Sequence, residues 1–144
     1  MENQLMENQN QPVIKPWGEY IVLEQNEGYW IKKLFVKEGA RLSLQSHRDR
    51  AEIWVVLSGK IEAVKGDSRV EIGEGEYIKI EKNEKHRIDG ITDSWILEVA
   101  FGDVREDDII RFEDDYGRIE IALNQGNFTE KYHSTVGQEV RLSK

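Results

Sequence analysis

The 144-residue chain reads as a single all-β domain. Three observations predict this. From Pro16 to residue 102 the sequence falls into short runs rich in β-branched and aromatic residues, punctuated by Gly, Asn and Asp. No segment before residue 103 carries an apolar stripe at helical spacing. Turn chemistry recurs at "SGK", "KGDS" and "EGE", where glycine can take a positive φ between strands. Nine short strands at near-regular spacing predict a closed barrel or a sandwich, and the length suffices to bury a substantial core without cross-links.

The opening residues, 1–12, repeat "MENQ" at positions 1 and 6, are polar, and follow neither a strand nor a helix period, so they read as a disordered tail. Strands are then expected at 19–24 (EYIVLE), 29–36 (YWIKKLFV), 41–47 (RLSLQSH), 51–59 (AEIWVVLSG), 60–66 (KIEAVKG), 68–73 (SRVEIG), 76–81 (EYIKIE), 86–90 (HRIDG) and 94–102 (SWILEVAFG). Beyond residue 103, acids and arginines flank Ile109, Ile110 and Phe112. This segment fits a strand or a short helix packed on the outside of the barrel. A short strand at 119–123 and a loose C-terminal extension to residue 144 complete the expected organisation: tail 1–12, barrel 13–118, extension 119–144.

Composition narrows the function classes. With no cysteine, the chain has no disulfide, no thiolate metal site and no thiol nucleophile, which fits a reducing, cytoplasmic setting. A net charge of -8 argues against nonspecific binding to nucleic acid or to an anionic membrane. The first residues lack the basic and apolar regions of a leader, and no apolar run is long enough to span a bilayer. An anionic ligand would need arginines and lysines concentrated against this acidic background.

Polar groups crowd into "SLQSHRDRAEIWVVLSGK". On a strand at 51–59, Glu52, Trp54 and Val56 share one face and Ile53, Val55 and Leu57 the other. Both faces are largely apolar, which predicts a strand covered on both sides, with Glu52 a carboxylate at a barrel interior or mouth. Such a carboxylate needs a partner. Gln45 and His47, two residues apart, share a face of the preceding strand, and His86 opens a later one. Brought together, Gln45, His47, Glu52 and His86 make an N/O ligand set that suits Zn, Mn, Fe, Co or Ni without choosing between them. Spacing alone favours ordinary hydrogen-bonded or surface histidines over ligands. Trp54 reads as core filling, and His133, in unpatterned sequence, as surface.

The pattern G-x5-Q-x-H-x4-E-x6-G, from Gly39 to Gly59, resembles the first cupin motif, with Gln where many cupins place a first His. Gly75 to His86 resembles the second, with Glu81 and Asn83 in place of Pro and Gly. Asn tolerates left-handed backbone, so that turn can survive. "KPWGEY", "IKKLFVKEGARLSLQSHRDRAEIWVVLSG", "KHRI" and "DDIIRFEDDYGR" are similar, in order and spacing, to the cupin domain of type II phosphomannose isomerases, a domain fused in many bacteria behind a mannose-1-phosphate guanylyltransferase. The likeness spans roughly residues 15–118. It implies a cupin, that is, a double-stranded β-helix or jelly-roll barrel, with a short C-terminal extension.

Carried over position by position, the resemblance implies metal ligands Gln45, His47, Glu52 and His86, and a catalytic role for Arg50. It further implies a divalent metal cofactor (Zn, Co, Mn, Ni or Fe), a sugar-phosphate substrate and a homodimer. The implied activity interconverts mannose 6-phosphate and fructose 6-phosphate through an enediolate whose charge the metal would offset. Glu98, in "ILEVA", is a candidate base, or else a barrel-mouth carboxylate paired to an arginine. Cations for the phosphate come from Arg50, Lys32, Arg41, Arg87, Arg111 and Arg118, of which Lys32, Arg41, Arg111 and Arg118 match family positions as substrate-binding residues. Two departures stand out: Arg48 and Asp49 replace histidines, as does Ile53. These keep open a second reading, a noncatalytic cupin that binds a sugar phosphate or nucleotide sugar alongside a separate guanylyltransferase, and a third, a cupin enzyme of other chemistry.

Overall fold

The computed structural model describes residues 9–115 and the backbone of Ile119–Leu123. The expected tail therefore lies largely outside the described residues, but Asn10 already donates its N–H to the Val22 carbonyl at 2.8 Å. Among the described residues there are twelve strands: β1 (Val13–Lys15), β2 (Gly18–Gln25), β3 (Tyr29–Val36), β4 (Leu44–Ser46), β5 (Arg50–Ser58), β6 (Lys60–Lys65), β7 (Ser68–Gly73), β8 (Tyr77–Ile80), β9 (His86–Gly90), β10 (Ser94–Gly102), β11 (Ile110–Glu113) and β12 (Ile119–Leu123). They form two six-stranded antiparallel sheets, in orders β1-β2-β3-β10-β5-β8 and β12-β11-β4-β9-β6-β7, the two walls of one barrel.

Most expected strands recur with small shifts of boundary, because the period-2 burial that predicts them is also what the barrel enforces. In β3, Trp30, Lys32, Leu34 and Val36 are buried while their neighbours are half-exposed. In β10, Ser94, Ile96, Glu98 and Ala100 face in. Three expectations need correction. The strand expected at 41–47 shortens to β4, with Arg41 joined to the sheet only by a bridge to Asp89. The segment around Ile110 does not pack outside the barrel: β11 extends the second sheet, pairing Arg111 with Gln45 and Ile110 with Ser46. And β5 is not covered on both sides, since Ile53 and Val55 are half-exposed and Leu57 is exposed.

Register sorts the interior into two levels. Across β3, β10 and β5, Lys32 pairs with Glu98 and Glu98 with Trp54, and next to them Trp30 pairs with Ala100 and Ala100 with Glu52. Toward the other end the same ladders pair Leu34 with Ile96 and Ile96 with Val56. The second level belongs to the main core, with Trp17, Val36, Ile61, Ile72, Ile80 and Ile88. The first level places charged side chains on a floor of packed apolar groups. Two backbone devices support its rim. Asn83 takes φ 66°, the left-handed turn its residue type permits, and donates its N–H to the His47 carbonyl. Gly102 takes φ 118° where a Cβ would lie 2.4 Å from the Asp49 carbonyl oxygen.

Candidate metal centre and binding cavity

Three elements converge at the polar end of the barrel. β4 delivers Gln45 and, one residue past its end, His47. β9 begins with His86, directly opposite Gln45, and β5 presents Glu52 from its buried face. His47 Nε2 lies 3.2 Å from Glu52 Oε2 and 3.2 Å from His86 Nε2, and His86 Nε2 lies 3.9 Å from Glu52 Oε1. All three residues are buried, each 3% exposed. Gln45 lines the same cavity, but its amide donates to the Ser43 carbonyl and hydroxyl oxygens.

Hydrogen bonds on the far side of each ring set its chemistry. His47 donates from Nδ1 to the Asp108 carbonyl at 2.7 Å, and His86 from Nδ1 to the Glu84 carbonyl at 2.9 Å. Both Nε2 atoms then carry lone pairs, and these converge with the Glu52 carboxylate. Burial, the largest influence, pushes His86 down to about 4, so that ring is neutral near pH 7. Burial alone would raise Glu52, but the hydrogen bonds it accepts and the positive charge beside it, that of Arg50 above all, hold it well below the usual carboxylate range. Metal–ligand bonds of about 2.0–2.2 Å put neighbouring N/O ligand atoms about 3.0–3.5 Å apart, which the two 3.2 Å separations match. Three lone-pair donors facing one another with no proton between the two nitrogens fit a divalent cation.

The positive charge inside this cluster is Arg50, buried at 7% exposure. Its guanidinium donates from Nη2 to His47 Nε2 at 3.0 Å, from Nε to Glu52 Oε2 at 3.2 Å, and from Nη1 to the Arg105 carbonyl at 2.9 Å. Its Cζ stacks 4.4 Å from the Trp30 ring centroid, with Lys32 Nζ 4.0 Å from the same ring. Trp54, expected only to fill the core, is buried and also donates from Nε1 to Glu52 Oε1 at 2.9 Å.

Glu98 is buried and accepts from Trp30 Nε1 at 2.9 Å, with Lys32 as its cross-strand neighbour. Burial first, then the Glu52 charge, raises its pKa. Lys32, Arg50, Arg111, Gln45 and Glu98 all line a cavity of about 150 Å³ with the three-residue cluster. Arg87 lines it too, but its guanidinium is committed to the Leu42 and Asp114 carbonyls and to Glu113. Arg41 does not line the cavity; its Nε lies 3.5 Å from Asp89. Arg118 lies outside the described residues, as does His133. Arg48 is exposed, and Asp49 binds Arg105 at 3.0 Å, so neither substitution for a family histidine puts a side chain into the cluster.

Several cavity residues were not picked out from sequence: Lys15, Tyr20, Glu106 and Asp115 line it, and Trp30 and Asp108 support it. For Trp30 the signal was present, since it shares the buried face of β3 with Lys32. Asp108 and Glu106 reach the site from a loop with no period to read.

A double-stranded β-helix with a buried His–Glu–His cluster at one end of its barrel defines a cupin. The chain belongs to the family described as mannose-6-phosphate isomerase C-terminal, whose model matches residues 2–114. Its relatives include the xanthan biosynthesis protein XanB of Xanthomonas campestris pv. campestris (strain B100), 40% identical over 109 residues. The mannose-1-phosphate guanylyltransferase ManC of Salmonella typhimurium is 39% identical over 111 residues, and the alginate biosynthesis protein AlgA of Pseudomonas putida 39% over 117. These matches take in 74%, 74% and 79% of this chain but only 23%, 23% and 24% of the relatives. Among solved structures, KdgF from Halomonas sp. superposes with a TM-score of 0.59 at 13% identity, covering 66% of this chain and 86% of that one. A Streptomyces Pac13 structure with uridine gives 0.64 at 12% identity, covering 74% and 87%. At such identities the likeness is one of fold.

The relatives correct the functional expectation. A self-standing mannose-6-phosphate isomerase is not supported: the similar proteins are named for guanylyl transfer and for xanthan and alginate biosynthesis, and this chain corresponds to less than a quarter of each. The motifs that suggested the isomerase belong to the cupin domain itself, and so report the domain and not the activity of the longer relatives that carry it. No helix among the described residues is long and apolar enough to cross a membrane.

Proposed function

We propose that the chain is a phosphosugar-binding cupin module of mannose-based polysaccharide biosynthesis, counterpart of the domain its relatives carry with a guanylyltransferase. The observation that carries this reading is the cavity: in a chain of net charge -8, Lys15, Lys32, Arg50 and Arg111 converge on one pocket. Buried cations beside an aromatic face suit a phosphorylated sugar, the guanidinium and ammonium groups taking the phosphate and Trp30 and Tyr20 shielding them from water.

In this reading His47, Glu52 and His86 hold a divalent metal, with Gln45 completing the set once its amide turns its oxygen inward. When bound, the metal supplies a positive centre for sugar hydroxyl or carbonyl oxygens. The chain's own groups do the rest. Glu98, kept more basic than an exposed carboxylate, accepts a hydroxyl proton or hydrogen bond at the cavity wall. Arg50 and Lys32 fix the anionic end. Arg111, opposite Gln45 on β11, closes the other side.

Calorimetric titration with mannose 1-phosphate, GDP-mannose and mannose 6-phosphate, each with and without Zn²⁺ or Co²⁺, tests this. At least one should bind, and Lys32→Ala should weaken that binding about tenfold or more. Absence of heat and of NMR shift with all three, metal-loaded or not, would sink the reading.

A further inference from the structure

Asp108 lies in the loop between β10 and β11 and is 2% exposed. It takes a hydrogen bond from each of three consecutive residues. Oδ1 accepts the Arg48 N–H at 2.9 Å, Oδ2 accepts the Asp49 N–H at 2.8 Å, and the main-chain carbonyl accepts His47 Nδ1–H at 2.7 Å. A buried carboxylate that engages two backbone N–H groups is costly to form and specific in geometry. Its two bonds hold the 47–49 turn and the 105–108 loop in one arrangement, and that arrangement aims the Asp108 carbonyl at the imidazole.

The geometry points to Asp108 as the positioning residue of the metal centre: its carboxylate clamps the turn so that its carbonyl fixes His47 as the Nδ1–H tautomer, with the Nε2 lone pair turned toward Glu52 and His86. Without the clamp, the ring is free to flip or to exchange tautomers, and the lone pair no longer meets its neighbours. Partners of this kind behind a ligating histidine control metal affinity by about 10–100-fold. The same loop supplies the Arg105 carbonyl that receives Arg50 Nη1, so ligand and guanidinium are aligned by one segment.

The inference rests on the metal-binding reading of the cluster, but its test separates the two. Zn²⁺ and Co²⁺ affinities are measured by competition with a chromophoric chelator for the unaltered chain, Asp108→Ala and Asp108→Asn. Long-range ¹H–¹⁵N NMR of the metal-free proteins reads the His47 tautomer. Affinity should fall about 10–100-fold in Asp108→Ala and less in Asp108→Asn, which retains one acceptor, with the His47 signals moving from pure Nδ1–H toward a mixture. A folded Asp108→Ala with unchanged tautomer and affinity within twofold of the parent would overturn the assignment. If the unaltered chain takes up neither ion, the metal reading fails while the tautomer comparison still decides the role of Asp108. Should both variants fail to fold, amide exchange in the unaltered chain decides: Arg48 and Asp49 should exchange as slowly as β5 amides, and rapid exchange would rule the clamp out.

Discussion

Arg50 brings a permanent charge into a cluster where a metal would also sit. Its guanidinium holds His47 Nε2 and Glu52 Oε2 together, satisfying lone pairs that would otherwise repel. A divalent ion held by His47 Nε2 would take the one lone pair that Arg50 Nη2 now uses, leaving that N–H free to meet an anion. Arg50→Gln should therefore bind Zn²⁺ or Co²⁺ as tightly as the parent or more so, while its affinity for mannose 1-phosphate drops about tenfold or more. Chelator competition and calorimetry read the two effects separately, and a variant that loses the metal would show that the guanidinium is what keeps the ligands in place. His47→Ala and His86→Ala should each cut metal affinity by two orders of magnitude or about that, since each removes a direct ligand. Arg48 and Asp49 show why residue-level reading from a motif has limits. Both stand where the family carries histidines, yet what they give the site is their backbone N–H groups, held by Asp108.

The loop between β10 and β11 is the element whose role was least legible. The strands could be read because alternation is a local signal: "YWIKKLFV" and "SWILEVAFG" place Lys32 and Glu98 on the same inward faces as Trp30 and Ile96, as observed. Loop residues act across the fold, Asp108 reaching 60 positions back to Arg48 and Glu106 reaching 74 back to Lys32, so no window of sequence contains both partners. The membership of β11 in the second sheet was obscured for the same reason. Gly102 ends β10 just before this loop, and Gly102→Ala should cost about 1–3 kcal/mol in urea unfolding, because the positive φ and the approach to the Asp49 carbonyl both exclude a Cβ. Glu106 ties the loop to Lys32 at 3.1 Å. Partial shielding of its carboxylate from water works to raise its pKa, but Lys32 and Arg50 outweigh it and hold it below its ordinary 4.5. A lowered carboxylate contributes stability above the unfolded value and loses it as pH falls through the folded one. The gap in urea midpoint between the parent and Glu106→Gln should thus be steady above about pH 5 and close as the pH falls below about 4.

At the scale of the whole barrel, the two interior levels divide labour. The apolar level, with Ile96 and Val36 fully buried and Val56 and Ile88 each 1% exposed, holds the sheets together. Ile96→Ala should cost about 2–5 kcal/mol by thermal or urea unfolding. The polar level, by contrast, spans a steep gradient of solvent access over one cavity. At its base the His47, Glu52 and Arg50 side chains are 3%, 4% and 8% exposed, and at its mouth the Glu106 partner of Lys32 is 68% exposed. Dissolved salt can therefore reach one end and not the other. Raising NaCl from about 50 to 500 mM shortens the Debye length from roughly 14 to 4 Å, which matters only for charges that water surrounds. A single pocket would then answer ionic strength in two ways: the bonds its buried groups would make to a metal ion, and Arg50 to a phosphate, stay nearly indifferent to it, while the exposed Glu106 loosens its hold on Lys32 as salt rises, so that the medium acts on the mouth and leaves the base alone.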